Sequence, residues 1–154
     1  MQEGSVSHSS LFSEPVVAGE AVLELIPQRS PIVMVDAFYG VDDVCSYSSL
    51  TIREDNLFFE DGKFREPGII EHVAQSAAAR VGYVCKQENR PIPVGFIGQL
   101  KNFKIHALPS AGDKLCTTIK IESEFMGVSL VSATVYVGEQ LLADCQMKIF
   151  IKED

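Results

Sequence analysis

From Pro67 to about Lys86 apolar residues return at Ile70, Val73, Ala74, Ala77, Val81 and Val84. That is the three-and-four spacing of one helix face, and Pro67 suits a first helical turn. The pattern predicts the one long helix of the chain, with an alanine-rich middle (Ala74, Ala77, Ala78, Ala79) small enough for close approach of a sheet or a partner helix. Elsewhere the period changes. Val22, Leu23, Leu25 and Ile26 fit a short helix over 19–26 that Pro27 ends. The unbroken apolar run Ile32-Val33-Met34-Val35 reads as a buried strand over 31–39, and 44–53 alternates as a half-buried one. A short element over 56–60 closes on the turn signal Asp61-Gly62. After the breakers Asn89, Pro91 and Pro93, four β-like segments follow over 94–106, 114–125, 128–136 and 140–152. Turns are expected at Ala111-Gly112-Asp113, Met126-Gly127 and Val137-Gly138-Glu139. The order predicts an α+β chain in which a long helix packs on a curved antiparallel β-sheet. Residues 1–18, rich in Ser, Glu and Gly, read as a flexible lead-in to a single domain over 19–154.

Composition narrows the classes of function. With 46% hydrophobic and 22% charged residues, 154 residues suit one core. The net charge of −8, from 21 acidic and 13 basic residues, disfavours nucleic acid or an anionic membrane as partner. No run reaches the ~18 apolar residues of a membrane span. Cys45, Cys85, Cys116 and Cys145 are widely spaced, without a CxxC pair or a secretory leader, which predicts reduced thiols in a cytoplasmic protein. His8, His72 and His106 are equally scattered, so neither a metal site nor any cofactor is expected.

The chemistry concentrates at Glu71. A carboxylate among Ile69, Ile70, Val73, Ala74, Ala77 and Ala78 either points to solvent, favoured by the helix dipole, or serves a site that uses it. Gln75 lies one turn on along the same face and could orient that carboxylate, bind polar substrate atoms, or bond the neighbouring sheet. Lys63 reads as a loop cation, and Asp36 and Asp113 as strand-end and turn residues.

Several stretches, in order, carry a family resemblance. Ile26-Pro27-Gln28-Arg29-Ser30-Pro31 followed by Ile32 to Asp36 resembles the opening of the hotdog-fold 3-hydroxyacyl-acyl-carrier-protein dehydratases. So do Asn56-Leu57-Phe58-Phe59, Pro67-Gly68 leading to Glu71-His72-Val73-Ala74-Gln75, and Gly98 to Lys104 followed by Pro109 to Asp113. The resemblance spans about residues 20–152 and implies a hotdog fold, with the long helix wrapped by the sheet. It also implies a homodimer or higher oligomer, or a heterodimer with a related subunit, with the thioester site between protomers. Glu71 matches the acid of the family's His and acid pair. The family's Gly-His-Phe-Pro motif has no counterpart, because this chain reads Gly62-Lys63-Phe64-Arg65 and is several residues shorter before Glu71.

The resemblance implies dehydration of 3-hydroxyacyl thioesters on acyl carrier protein, in fatty-acid or polyene-type lipid biosynthesis. Glu71 is then the proton carrier, and the Gly68 and Ile69 amides at the helix start would polarise the thioester carbonyl. His72 is the candidate to replace the missing histidine. Adjacent helical residues diverge by about 100°, so it would have to act across a dimer interface, or else be a structural histidine bonded to a backbone carbonyl. Two further readings stay open. One is a hotdog thioesterase in which Glu71 attacks or activates water. The other is a non-catalytic subunit that pairs with an active dehydratase.

Overall fold

The computed structural model describes residues 8–152. A helical turn α1 (His8–Leu11) leads to β1 (Val17–Ala18), a 3-10 helix over Gly19–Glu24, β2 (Ala37–Val41) and β3 (Cys45–Thr51). A small hairpin of β4 (Phe59–Glu60) and β5 (Lys63–Phe64) turns through Asp61 and Gly62, both at positive φ, and delivers the chain into α2 (Glu66–Gln87). Four long strands follow: β6 (Val94–Ile105), β7 (Lys114–Phe125), β8 (Val128–Val137) and β9 (Gln140–Lys152). Seven strands form one antiparallel sheet in the order β1-β2-β3-β7-β8-β9-β6, so the strand that leaves α2 ends up at an edge.

The helix packs on this sheet through Val73 and Ala77 of the predicted stripe and through Ile69, which that stripe does not include, while Ala74 and Val81 of the stripe line a groove. Ile69, Val73 and Ala77 enter a core with Leu50, Leu115, Ile119, Val131 and Met147, each fully buried aliphatic side chain contributing about 1.5–3 kcal/mol. Ala79 joins a second cluster with Val22, Leu25, Ile26, Val35 and Phe38. There the chain before the sheet crosses α2 closely enough that a Cβ on Gly82 would lie 2.1 Å from the Leu25 carbonyl oxygen. Only glycine admits that crossing.

Two expectations are corrected. The strand predicted over 31–39 begins only at Ala37. Met34 and Val35 are buried as the apolar run implies, but Ile32 and Met34 bond their backbone to side chains of α2 instead of a neighbouring strand. The lead-in predicted over 1–18 is part of the fold where it is described. Phe12 is buried, with edge-on ring contacts to Tyr39 and Tyr47, and Lys114 Nζ donates to its carbonyl. Val17 pairs with Phe38 in the sheet. Residues 1–7 of that predicted lead-in lie outside the described residues.

Candidate functional site

The first turns of α2 carry Gly68, Ile69, Glu71, His72 and Gln75, and the structure sorts them by what each can reach. The β4–β5 hairpin lies over the helix start so tightly that a Cβ on Gly68 would meet the Phe64 ring at 2.5 Å and Phe58 Cβ at 2.7 Å. Gly68 N–H donates to the Arg65 carbonyl at 2.9 Å, and Ile69 N–H to the same oxygen at 3.3 Å. Both amides are therefore committed to the helix start, and Ile69 sends its side chain into the core. The expectation that they polarise a substrate carbonyl is not met, because the carbonyl of Arg65 already occupies them.

His72 is also relocated. It is 0% exposed, with Nδ1 2.7 Å from the Met34 carbonyl oxygen and Nε2 2.7 Å from Thr117 Oγ1. A carbonyl only accepts, so Nδ1 carries the proton and Nε2 accepts from the threonine hydroxyl. Burial pulls the imidazole down to about 4, against a smaller opposing effect of the Met34 carbonyl. A neutral ring with both nitrogens engaged and no solvent contact cannot stand in for the missing histidine, from within the chain or across an interface.

Gln75, also 0% exposed, spends its amide on three partners. Oε1 accepts from Met34 N–H at 2.6 Å, and Nε2 donates to the Ile32 carbonyl and to Glu71 Oε2, each at 2.8 Å. It is not placed to bind substrate directly; one bond matches the orientation of Glu71, and the other two match the structural amide, bonding the backbone of residues 32–34 in place of a strand. Glu71 itself is half-buried, and among the described residues its carboxylate takes its hydrogen bond from Gln75.

Beyond Glu71 the same helix face continues as Ala74, Ala78 and Val81, at steps of three and four residues. These side chains wall a groove of about 610 Å³ whose other walls include Leu23, Ile26, Phe96 and Ile97. The small alanines create the room. Phe58, Phe59 and Phe103 pack on the core, and Phe96 lines the groove.

No second acid-base group of this chain joins Glu71 among the described contacts. Lys63, at the position of the missing histidine, donates to Ser110 Oγ at 3.0 Å. His106 faces Asp144 at 3.1 Å, beyond the end of β6. Asp36 bonds Ser49 and the Thr51 amide, and Asp113 caps the Ser110 amide, both structural roles. Thr117 is the partner that sequence reasoning missed, since one buried threonine in an alternating strand carries no signal of its own.

Comparison with known proteins bears on the family and the fold. The family model described as ApeP-like, ApeP dehydratase, matches residues 20–154. The 3-hydroxyacyl-acyl-carrier-protein dehydratase FabZ of Streptococcus gordonii is 30% identical over 130 residues, covering 80% of this chain and 89% of that protein. FabZ of Levilactobacillus brevis is 26% identical over 145 residues, covering 88% and 94%. Among solved structures, the dehydratase heterocomplex ApeI:P from Xenorhabdus doucetiae superposes with a TM-score of 0.78 at 14% identity, over 92% of this chain and 93% of that one. The fold is thus the α+β hotdog fold expected from the sequence, and the chain belongs to the ApeP-like dehydratase family.

Proposed function

We propose that this chain acts in the dehydration of 3-hydroxyacyl thioesters held on acyl carrier protein, with Glu71 as its proton carrier. The observation that carries the reading is a half-buried carboxylate, held by one amide, one helical turn before Ala74, where α2 begins to line an apolar groove. An acyl chain laid along Ala74, Ala78 and Val81 would bring its reacting carbons toward Glu71. Loss of a proton from C2 and of hydroxide from C3, reprotonated as water, leaves the enoyl thioester. Such a step calls for two positioned proton-transfer groups, each contributing roughly 10²- to 10⁴-fold.

The second group comes from another subunit. His72 and Lys63 are both engaged within the chain, so neither completes the pair. The sheet edge formed by β6 presents Val94 at 67% and Phe96 at 56% exposure, apolar residues beside the groove on a strand that pairs β9 on one side and forms the sheet's edge on the other. That edge is suited to pair with another subunit. Either a second copy or a related hotdog subunit would meet the geometric need. The heterocomplex of the Xenorhabdus dehydratase favours the related subunit. In that arrangement this chain supplies the acid and half of the groove, with the reaction taking place in the cytoplasm on the carrier-bound substrate.

The test is to supply 3-hydroxyacyl carriers of several lengths to the purified chain, alone and mixed with a related subunit, and to follow enoyl product and free thiol. Enoyl formation by the chain or only by the mixture supports the reading and distinguishes homodimer from heterodimer. Free thiol without enoyl product would make the protein a thioesterase.

A further inference from the structure

Five residues from β7 to Glu71 are linked by four hydrogen bonds that share one direction, two of them meeting at the Met34 backbone. Thr117 O–H donates to His72 Nε2 at 2.7 Å, His72 Nδ1–H to the Met34 carbonyl at 2.7 Å, and Met34 N–H to Gln75 Oε1 at 2.6 Å. Gln75 Nε2–H then donates to Glu71 Oε2 at 2.8 Å. The direction is not a matter of how rings and amides are drawn. The Met34 carbonyl can only accept and its N–H can only donate, so together they fix the histidine tautomer and the glutamine orientation. The Ile32 carbonyl, 2.8 Å from Gln75 Nε2, fixes the amide a second time.

We infer that Thr117, His72 and Gln75 are positioning residues for Glu71, clamping the Met34 backbone from both sides so that a glutamine N–H always meets the carboxylate. The inference rests on the reading of Glu71 as the proton carrier. His72 and Gln75 sit three residues apart on α2, one on the Met34 carbonyl and one on its N–H, which pins the irregular segment at residues 32–36 against the helix. The two Met34 groups belong to different peptide units, so the coupling is one of position. All three side chains are wholly buried, and a displaced member would leave a buried polar atom unpaired. The consequence falls on Glu71, whose Oε2 is held while Oε1 is left for substrate. Part of this chain's Glu71-His72-Val73-Ala74-Gln75 stretch is thereby scaffold for the acid instead of chemistry.

Thr117→Val removes one hydroxyl at nearly constant volume, and Thr117→Ser keeps the hydroxyl. With the subunit composition that gives turnover, Thr117→Val is expected to lower kcat roughly 3- to 10-fold, the size of one net hydrogen bond, at unchanged KM, and Thr117→Ser to restore it. An unchanged kcat in a folded Thr117→Val protein, or an equal loss in Thr117→Ser, would overturn the inference. A second readout needs no turnover. In 15N-labelled protein, Glu71→Gln should shift one side-chain amide proton of Gln75 and leave the other, and the His72 ring should report the Nδ1–H form. A Gln75 amide pair indifferent to Glu71→Gln overturns the chain even if Thr117→Val fails to fold. If the native protein turns over no hydroxyacyl carrier but the Gln75 proton does shift, the proposed reaction fails and the bonding chain stands.

Discussion

Acid should weaken this fold at His72. In the folded chain burial holds His72 down at about 4, and in the unfolded chain the imidazole returns to its ordinary value of 6.5. Between those values the unfolded chain takes up a proton that the folded chain refuses, so stability is fully present above pH 6.5 and falls as pH drops toward 4. A separation of about 2.5 units at ~1.36 kcal/mol per unit sets a ceiling of about 3 kcal/mol. That is a large share of the ~5–15 kcal/mol by which a domain is stable. The assay is urea unfolding at steps from pH 7.5 to 4.0 for the native protein and for His72→Gln, which cannot titrate there. Asp36, whose carboxyl is pushed up by burial against several opposing hydrogen bonds, changes stability with the opposite sign. It is common to both proteins and cancels in the difference. The difference curve should be flat above pH 6.5, and by pH 4 the native protein should have lost up to about 3 kcal/mol more than the variant. A difference curve flat over the whole range would mean that His72 titrates freely, and the assignment of the ring to the core would be wrong.

Other consequences follow from single contacts. Gly82→Ala drives a methyl into the Leu25 carbonyl and should cost at least about 1–3 kcal/mol in urea unfolding; a neutral result would mean the helix crossing is looser than described. Phe12→Ala empties a buried site between Tyr39 and Tyr47, with an expected loss of roughly 3–5 kcal/mol, whereas a truly mobile lead-in would make it silent. Phe96→Asp places a charge on the exposed apolar row of β6 and should shift the protein toward monomer in sedimentation, with little change in melting of the isolated chain.

Much of the architecture was legible because periodicity reports burial. The long helix, with Val73 and Ala77 on its buried side, and the half-buried strand within 44–53 both came from it, and the Asp61-Gly62 turn came from local turn chemistry. The strand over 31–39 was misread for a reason that belongs to the site. Continuous apolar character signals a buried segment, but not whether its backbone bonds a neighbouring strand or side chains such as His72 and Gln75. Glu71 was legible as a costly acid on an apolar helix. The roles of its neighbours were not. Whether Gln75 faces substrate or scaffold depends on Met34, 41 residues away in sequence, and whether His72 is free depends on Thr117, 45 away. Phe12 was hidden for a similar reason, as a lone aromatic in a polar stretch whose partners lie in β2 and β3.

The measurement that bears most directly on the central claim is enoyl-thioester formation by the native protein and by Glu71→Gln, in the same subunit composition and with melting temperatures recorded alongside. The account predicts a loss of about 10²- to 10⁴-fold in kcat with melting essentially unchanged, since Glu71 is half-buried and bonds only Gln75 among its described partners. A Glu71→Gln protein that forms enoyl product at the native rate would contradict it.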